Sequence, residues 1–109
     1  MIRAQDIIES IADAFQFISY YHPKDFIDAL FTAYKKEQSP AAKDALAQIL
    51  TNSKLCAIGK RPICQDTGIA TIFVKIGHEC KFDFNNKSLT DLLNEGVRLA
   101  YTDKDNPLR

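Results

Sequence analysis

Apolar residues recur at helical spacing through the first half of the chain and at alternate positions after residue 68. Ile7, Ile8, Ile11, Phe15 and Ile18 form one apolar stripe, which predicts a first helix. Pro23 is placed to open a second, with Phe26, Ile27, Leu30 and Tyr34 on one face. Ser39 is a good N-cap and Pro40 suits the first helical position, so a third helix follows, with Leu46, Ile49 and Leu50 facing inward. The joints between these segments are short and polar, which predicts no flexible linker and one domain over residues 1–109.

The period then changes. In Ile69–Ile76 the positions Ala70, Ile72, Val74 and Ile76 are apolar, with Thr71 and Lys75 on the opposite face. In Glu79–Phe84, Cys80, Phe82 and Phe84 oppose Glu79, Lys81 and Asp83. Two half-buried strands around Gly77 are predicted, paired as a hairpin. Burial selects the register that sets Ile76 opposite Cys80, Val74 opposite Phe82 and Ile72 opposite Phe84, through an odd-numbered turn or a bulge. Cys80 is then a core residue. Ser88 and Asp91 read as a capping box for a final helix that buries Leu89, Leu92, Leu93, Val97, Ala100 and Tyr101, and Asn106-Pro107 stops any helix that reaches it. The predicted class is α+β: three N-terminal helices, a β-hairpin, then a C-terminal helix. Gly59, Gly68 and Gly77 are evenly spaced, but their surroundings share nothing, so there is no repeat.

Charge adds little. Fourteen basic residues balance fourteen acidic ones, so no net field concentrates nucleic acid or anionic lipid. No apolar stretch approaches a membrane span, and the N-terminus does not read as a secretory signal. Three cysteines with no export signal argue against a disulfide framework and for the cytoplasm.

The chemistry concentrates in Arg61-Pro62-Ile63-Cys64-Gln65-Asp66-Thr67-Gly68, where a thiol, an amide, a carboxylate and a hydroxyl are consecutive. Pro62 biases Arg61 away from helix and Gly68 relaxes the backbone, which predicts a loop feeding a strand, a common seat for site residues. A thiolate at Cys64 is a soft ligand suited to iron–sulfur clusters or zinc. Cys56 lies eight positions before it and Cys80 sixteen after, neither a zinc-finger spacing, so spacing alone leaves Cys64 open between ligand and buried thiol. Gln65 can donate to a carboxylate, while Asp66 can handle a hydroxyl proton or merely organise the turn. Thr67 reads as structural and Arg61 as a surface cation. His22, at a helix start, and His78, in a turn, have no catalytic reading.

Together with its flanks, this run resembles the class I iron–sulfur fumarases and their relatives, the two-subunit L-tartrate dehydratases. Their cluster-binding sequence reads Pro-Ile-Cys-Gln-Asp-Thr-Gly, matched here without a break from Pro62 to Gly68. The similarity extends to Ala14–Pro23, to Ser39-Pro40-Ala41-Ala42, to Glu95-Gly96-Val97-Arg98 and to Asn106-Pro107-Leu108-Arg109. The resemblance implies that Cys64 is one of three thiolate ligands to a 4Fe–4S cluster, the other two coming from later parts of a longer polypeptide. It implies that the iron lacking a cysteine binds substrate. It further implies that Gln65 and Asp66 contact the substrate, Asp66 in a catalytic role, and that Arg109 binds a carboxylate. Neither Cys56 nor Cys80 matches a ligand position of the family.

The expectation is the N-terminal part of an iron–sulfur fumarate hydratase, a tricarboxylic acid cycle lyase that reversibly hydrates fumarate to malate. Its expected partners are the dicarboxylate substrate, the remainder of the enzyme and further copies in a homo-oligomer, with no nucleic acid and no membrane. The isolated fragment is expected to hold no cluster and to be inactive, and its uncovered apolar area to favour self-association. One alternative is the α-subunit portion of an L-tartrate dehydratase, although Tyr20-Tyr21-His22-Pro23-Lys24-Asp25-Phe26 looks more like fumarase. An alternative of another class is a non-catalytic folded oligomerisation module.

Overall fold

The computed structural model describes residues 1–63, 69–103 and 105. Among them are four helices, α1 (Ala4–Tyr20), α2 (Lys24–Lys36), α3 (Pro40–Gly59) and α4 (Leu89–Thr102), and two short strands, β1 (Ile2–Arg3) and β2 (Phe82–Asp83). The chain divides into two compact units. The first holds residues 1–17 and the described residues from 69 onward; the second holds residues 18–63.

In the first unit, Ile8, Ala12 and Phe15 of α1 are buried, as are Leu92, Gly96 and Ala100 of α4. Their spacing of three and four places each set on one helix face. Ala12, Phe15 and Ala100 form a common cluster, against which Ile11, Val97 and Ile72 pack. Small residues at 12, 96 and 100 allow close approach. A Cβ at position 96 would lie 2.7 Å from Cβ of Ile11 and 3.0 Å from the Ile8 carbonyl oxygen. Leu92 is 0 % exposed, a burial that contributes about 2 kcal/mol. The first turn of α4 carries the expected capping box: Ser88 Oγ accepts from the Asp91 N–H at 3.1 Å, and the Ser88 N–H donates to Asp91 at 3.3 Å. At α1, the Arg3 side chain donates to Asp6 through Nε at 3.1 Å and Nη2 at 2.8 Å. These bonds hold the Asp6 carboxyl below the usual aspartate range. The small stabilisation from this exposed pair is therefore present above that range and is lost as pH falls through the lowered value.

The predicted hairpin does not form. Ile69–Ile76 carries no regular strand, and β2 is confined to Phe82–Asp83. Its partner is the chain start: β1 pairs with β2 in parallel, Ile2 with Phe82 and Arg3 with Asp83, extended by the Ile2 N–H donating to the Lys81 carbonyl at 2.9 Å. The Cys80 N–H instead closes a tight turn onto the Gly77 carbonyl at 3.1 Å. Alternation reports which face seeks burial, not which backbone supplies the hydrogen bonds. Ile72 reaches the core cluster, whereas Phe73 is 94 % exposed and Val74 and Ile76 are half exposed. Cys80, expected in the core, is exposed.

In the second unit, α2 and α3 pack on each other. Ser39 caps α3, its Oγ accepting from the Ala42 N–H at 3.5 Å, with Pro40 following as predicted. Ser53 and Cys56 are the buried residues of α3, and Ser19 is buried at the end of α1. Several predicted inward positions are not buried. Ile18 is 58 % exposed because the buried stripe of α1 runs through 8, 12, 15 and 19, and places Ser19 inward instead. Ile49 on α3 and Tyr101 on α4 are exposed as well. The α3 helix ends on Lys60, whose φ of 50° and ψ of 51° are left-handed. No helix among the described residues is long and apolar enough to cross a membrane.

Two stability measurements check this packing. Gly96→Ala gains helix propensity, but the added methyl meets Ile11 and the Ile8 carbonyl, so thermal unfolding is expected to show a net loss of about 1–2 kcal/mol. An unchanged or raised melting temperature would contradict the close contact. Lys60→Gly relieves a left-handed side-chain conformation and is expected to stabilise the chain by roughly 0.5–1 kcal/mol; destabilisation would speak against that helix end.

Candidate functional site

The residues singled out as Cys64, Gln65, Asp66, Thr67, Gly68 and Arg109 lie outside the described residues. What the structure describes is the chain that leads to them. The α3 helix closes when Lys60 turns left-handed and its N–H donates to the Cys56 carbonyl, to which the Arg61 N–H also donates, at 3.0 Å. Both bonds satisfy a carbonyl that a helix end leaves without an intrahelical partner. Lys60 and Arg61 are exposed cations at a helix C-terminus, the end that favours positive charge.

The next two residues are tied down in turn. The Pro62 carbonyl lies 3.4 Å from Sγ of Cys56, and the Ile63 N–H donates to the Ser19 carbonyl at 2.8 Å. Pro62 has no N–H, so its carbonyl is its one backbone polar group. The three residues before Cys64 are thus each held at a backbone group, Arg61 and Ile63 by backbone carbonyls and Pro62 by the Cys56 thiol. Loop residues presented from anchored backbone are typical of binding and catalytic sites.

Beside this segment lies a groove of about 770 Å³ in the second unit, lined by His22 and Phe26, by α3 residues including Asp44, Gln48, Asn52 and Leu55, and by Ile63. His22, given no catalytic reading, is held in place here. Its Nδ1 lies 2.9 Å from Oγ of the buried Ser53, and its ring stacks on Phe26 with centroids 4.8 Å apart. No sequence pattern marked Ser53 or Ser19 as a holding point. Both occupy the inward stripe of a helix, and only a search for small polar residues on apolar faces would have found them.

Among the described residues, no three His, Cys, Asp or Glu side chains converge on a possible metal position. Cys56 is packed as the sequence suggested: it is 5 % exposed, with Sγ directed to the Pro62 carbonyl and to Asn52 Oδ1 at 3.6 Å. Cys80 is exposed in the other unit. The described donors therefore do not build a cluster site by themselves. The thiol of Cys64, which lies outside the described residues, has the donor chemistry such a cluster takes.

Residues 8–109 match the protein-family model described as Fumarate hydratase (Fumerase). The chain is also 35% identical over 94 residues to the candidate L(+)-tartrate dehydratase subunit alpha of Methanocaldococcus jannaschii. That alignment covers 86% of this chain and 33% of the relative, so the chain spans about a third of the length of the curated relative it matches. The family match takes in α1 from Ile8, the anchored residues 61–63, the whole Pro62–Gly68 motif and α4. With nearly the entire chain inside that match, this protein belongs to the fumarate hydratase (fumerase) family.

Proposed function

We propose that this chain is part of an iron–sulfur fumarate hydratase that reversibly adds water to fumarate to give malate in the cytoplasm. The observation that carries the reading is the family match over residues 8–109, which contains the unbroken Pro62–Gly68 sequence. Cys64 supplies one thiolate to a 4Fe–4S cluster whose other ligands come from the rest of a longer enzyme, working as a homo-oligomer. The exposed apolar residues Ile69, Phe73, Val74 and Ile76 support a further protein surface covering them. When bound, the cluster supplies Lewis acidity toward a substrate carboxylate and hydroxyl.

The residues of this chain do the remaining work. The side-chain amide of Gln65 donates to one carboxylate of the substrate, and the Arg109 guanidinium forks onto a carboxylate. Asp66 takes a proton from the water whose oxygen bonds to one alkene carbon, and returns it when the reaction runs backward. The other carbon receives its proton from a group outside these residues. Ser19 and Cys56 hold residues 61–63, which precede Cys64 in the chain.

A second reading has its own support. The 35% identity to the candidate L(+)-tartrate dehydratase subunit alpha favours a 2,3-dihydroxy acid as substrate, with the same elimination of water. Rates on fumarate, malate and L(+)-tartrate with the complete enzyme separate the two. Fumarate hydration that dominates the profile is expected, and a profile dominated by tartrate would replace the first reading with the second.

The site assignment is checked in the complete enzyme after anaerobic reconstitution. Cys64→Ser is expected to lose cluster iron and to lower the hydration rate to background. Asp66→Asn is expected to keep the iron while kcat falls about 10²- to 10⁴-fold. This 109-residue chain alone is expected to bind no four-iron cluster and to show no activity. Full activity in the Cys64 variant, or stoichiometric four-iron binding by the isolated chain, would overturn the assignment.

A further inference from the structure

We propose that residues 69–76 take an added β-strand from the remainder of the longer enzyme; the inference rests on the reading of this chain as part of one. Two independent observations meet on this segment. The first lies in its backbone. Residues 69–77 run without helix, turn or bend, and among the described residues no hydrogen bond joins the N–H and C=O groups of 69–76 to any partner. The neighbour that alternation predicted is taken, because β2 pairs with β1. β-Branched residues fill positions 69, 71, 72, 74 and 76, a composition that suits a pleated strand. An extended run of unpaired N–H and C=O groups is a template for another strand.

The second observation lies in the side chains. Ile72 packs on the core cluster, but Phe73 is 94 % exposed and Ile69 79 %, with Val74 and Ile76 half exposed. Val74 and Ile76 also line a groove of about 360 Å³ with Ile2 and Phe82 of the two strands and Ile11 and Leu93 of α1 and α4. Backbone pairing along the edge gives an added strand its affinity, and such a groove receives its alternate apolar side chains. Lys75 is the segment's one charged residue, so the strand that fits carries no cation opposite it. The occupant comes from the remainder of the enzyme and not from a second copy of residues 69–76. The aligned part is 33% of the relative's length, so most of such an enzyme lies outside residues 1–109 and has chain to supply a strand. The same segment of a second copy is held to its own core by Ile72, so it can meet this edge but not fill the groove.

Residue-resolved amide hydrogen exchange, on the complete enzyme and on this 109-residue chain alone, tests the pairing. At least alternate amides between 70 and 76 are expected to exchange about 100-fold or more slowly in the complete enzyme than in the chain alone. Equally fast exchange in both overturns strand addition. Slow exchange in the chain alone overturns the choice of occupant, because no remainder is present there. Phe73→benzoylphenylalanine in the complete enzyme then identifies the occupant by photo-cross-linking and peptide mass spectrometry. A cross-link to a peptide outside residues 1–109 is expected, and one to these residues in another copy overturns the proposal. Exchange and cross-linking need neither cluster nor activity. A protected segment in an enzyme without iron or hydratase activity leaves strand addition standing and removes the proposed function, and an active enzyme with an unprotected segment does the reverse.

Discussion

The anchoring of residues 61–63 is the constraint that ties the chain leaving α3 to the ends of two helices. Residues 61–63 lie outside any helix or strand, so their backbone groups must find partners elsewhere. Two helix ends supply them. The last turn of α1 offers the Ser19 carbonyl, and the last turn of α3 offers both the Cys56 carbonyl and the Cys56 thiol. Helix ends are suited to this because their final carbonyls have no partner within the helix. The left-handed Lys60 is the local strain that lets the chain double back onto them.

The same economy of small side chains appears in the first unit. Gly96 brings α4 within direct contact of Ile11 and the Ile8 carbonyl, and Ala12 and Ala100 complete the close face. Glu95-Gly96-Val97-Arg98 is one of the stretches similar to the fumarases. Its glycine has a physical explanation, because no side chain fits between α4 and that stretch of α1. Packing this tight is sensitive to single methyl groups in a way that the exposed ion pairs Lys24–Asp28 and Lys87–Glu95 are not.

The helices and their caps were legible because their signals are local. Pro40 after Ser39, and Ser88 with Asp91, act within one turn, and each cap forms where the residues predict it. The strand pairing was not legible. Choosing a partner for Phe82 requires knowing that Ile2 arrives beside it from the far end of the chain, and no short-range pattern carries that. The buried stripe of α1 was misjudged at its end for a related reason. Counting large apolar residues favours Ile18, whereas the helix turns Ser19 inward, and Ser19 is the residue that meets Ile63. Cys56 shows the reverse, since a small apolar reading from the sequence was correct as far as burial and silent about the bond to Pro62. The motif from Pro62 to Gly68 was recognisable as a string of residues and led to the family. The anchors of residues 61–63 were not, because Ser19 is remote from them in sequence and the Cys56 thiol bond leaves no residue pattern.

The most direct test of the account is an anaerobic crystal structure of the complete, cluster-loaded enzyme, with anomalous scattering used to place the iron. The account predicts iron bonded to Sγ of Cys64, the Ile63 N–H still on the Ser19 carbonyl, and Sγ of Cys56 still on the Pro62 carbonyl. Iron bonded to Cys56 or Cys80, or no iron at Cys64, would contradict it.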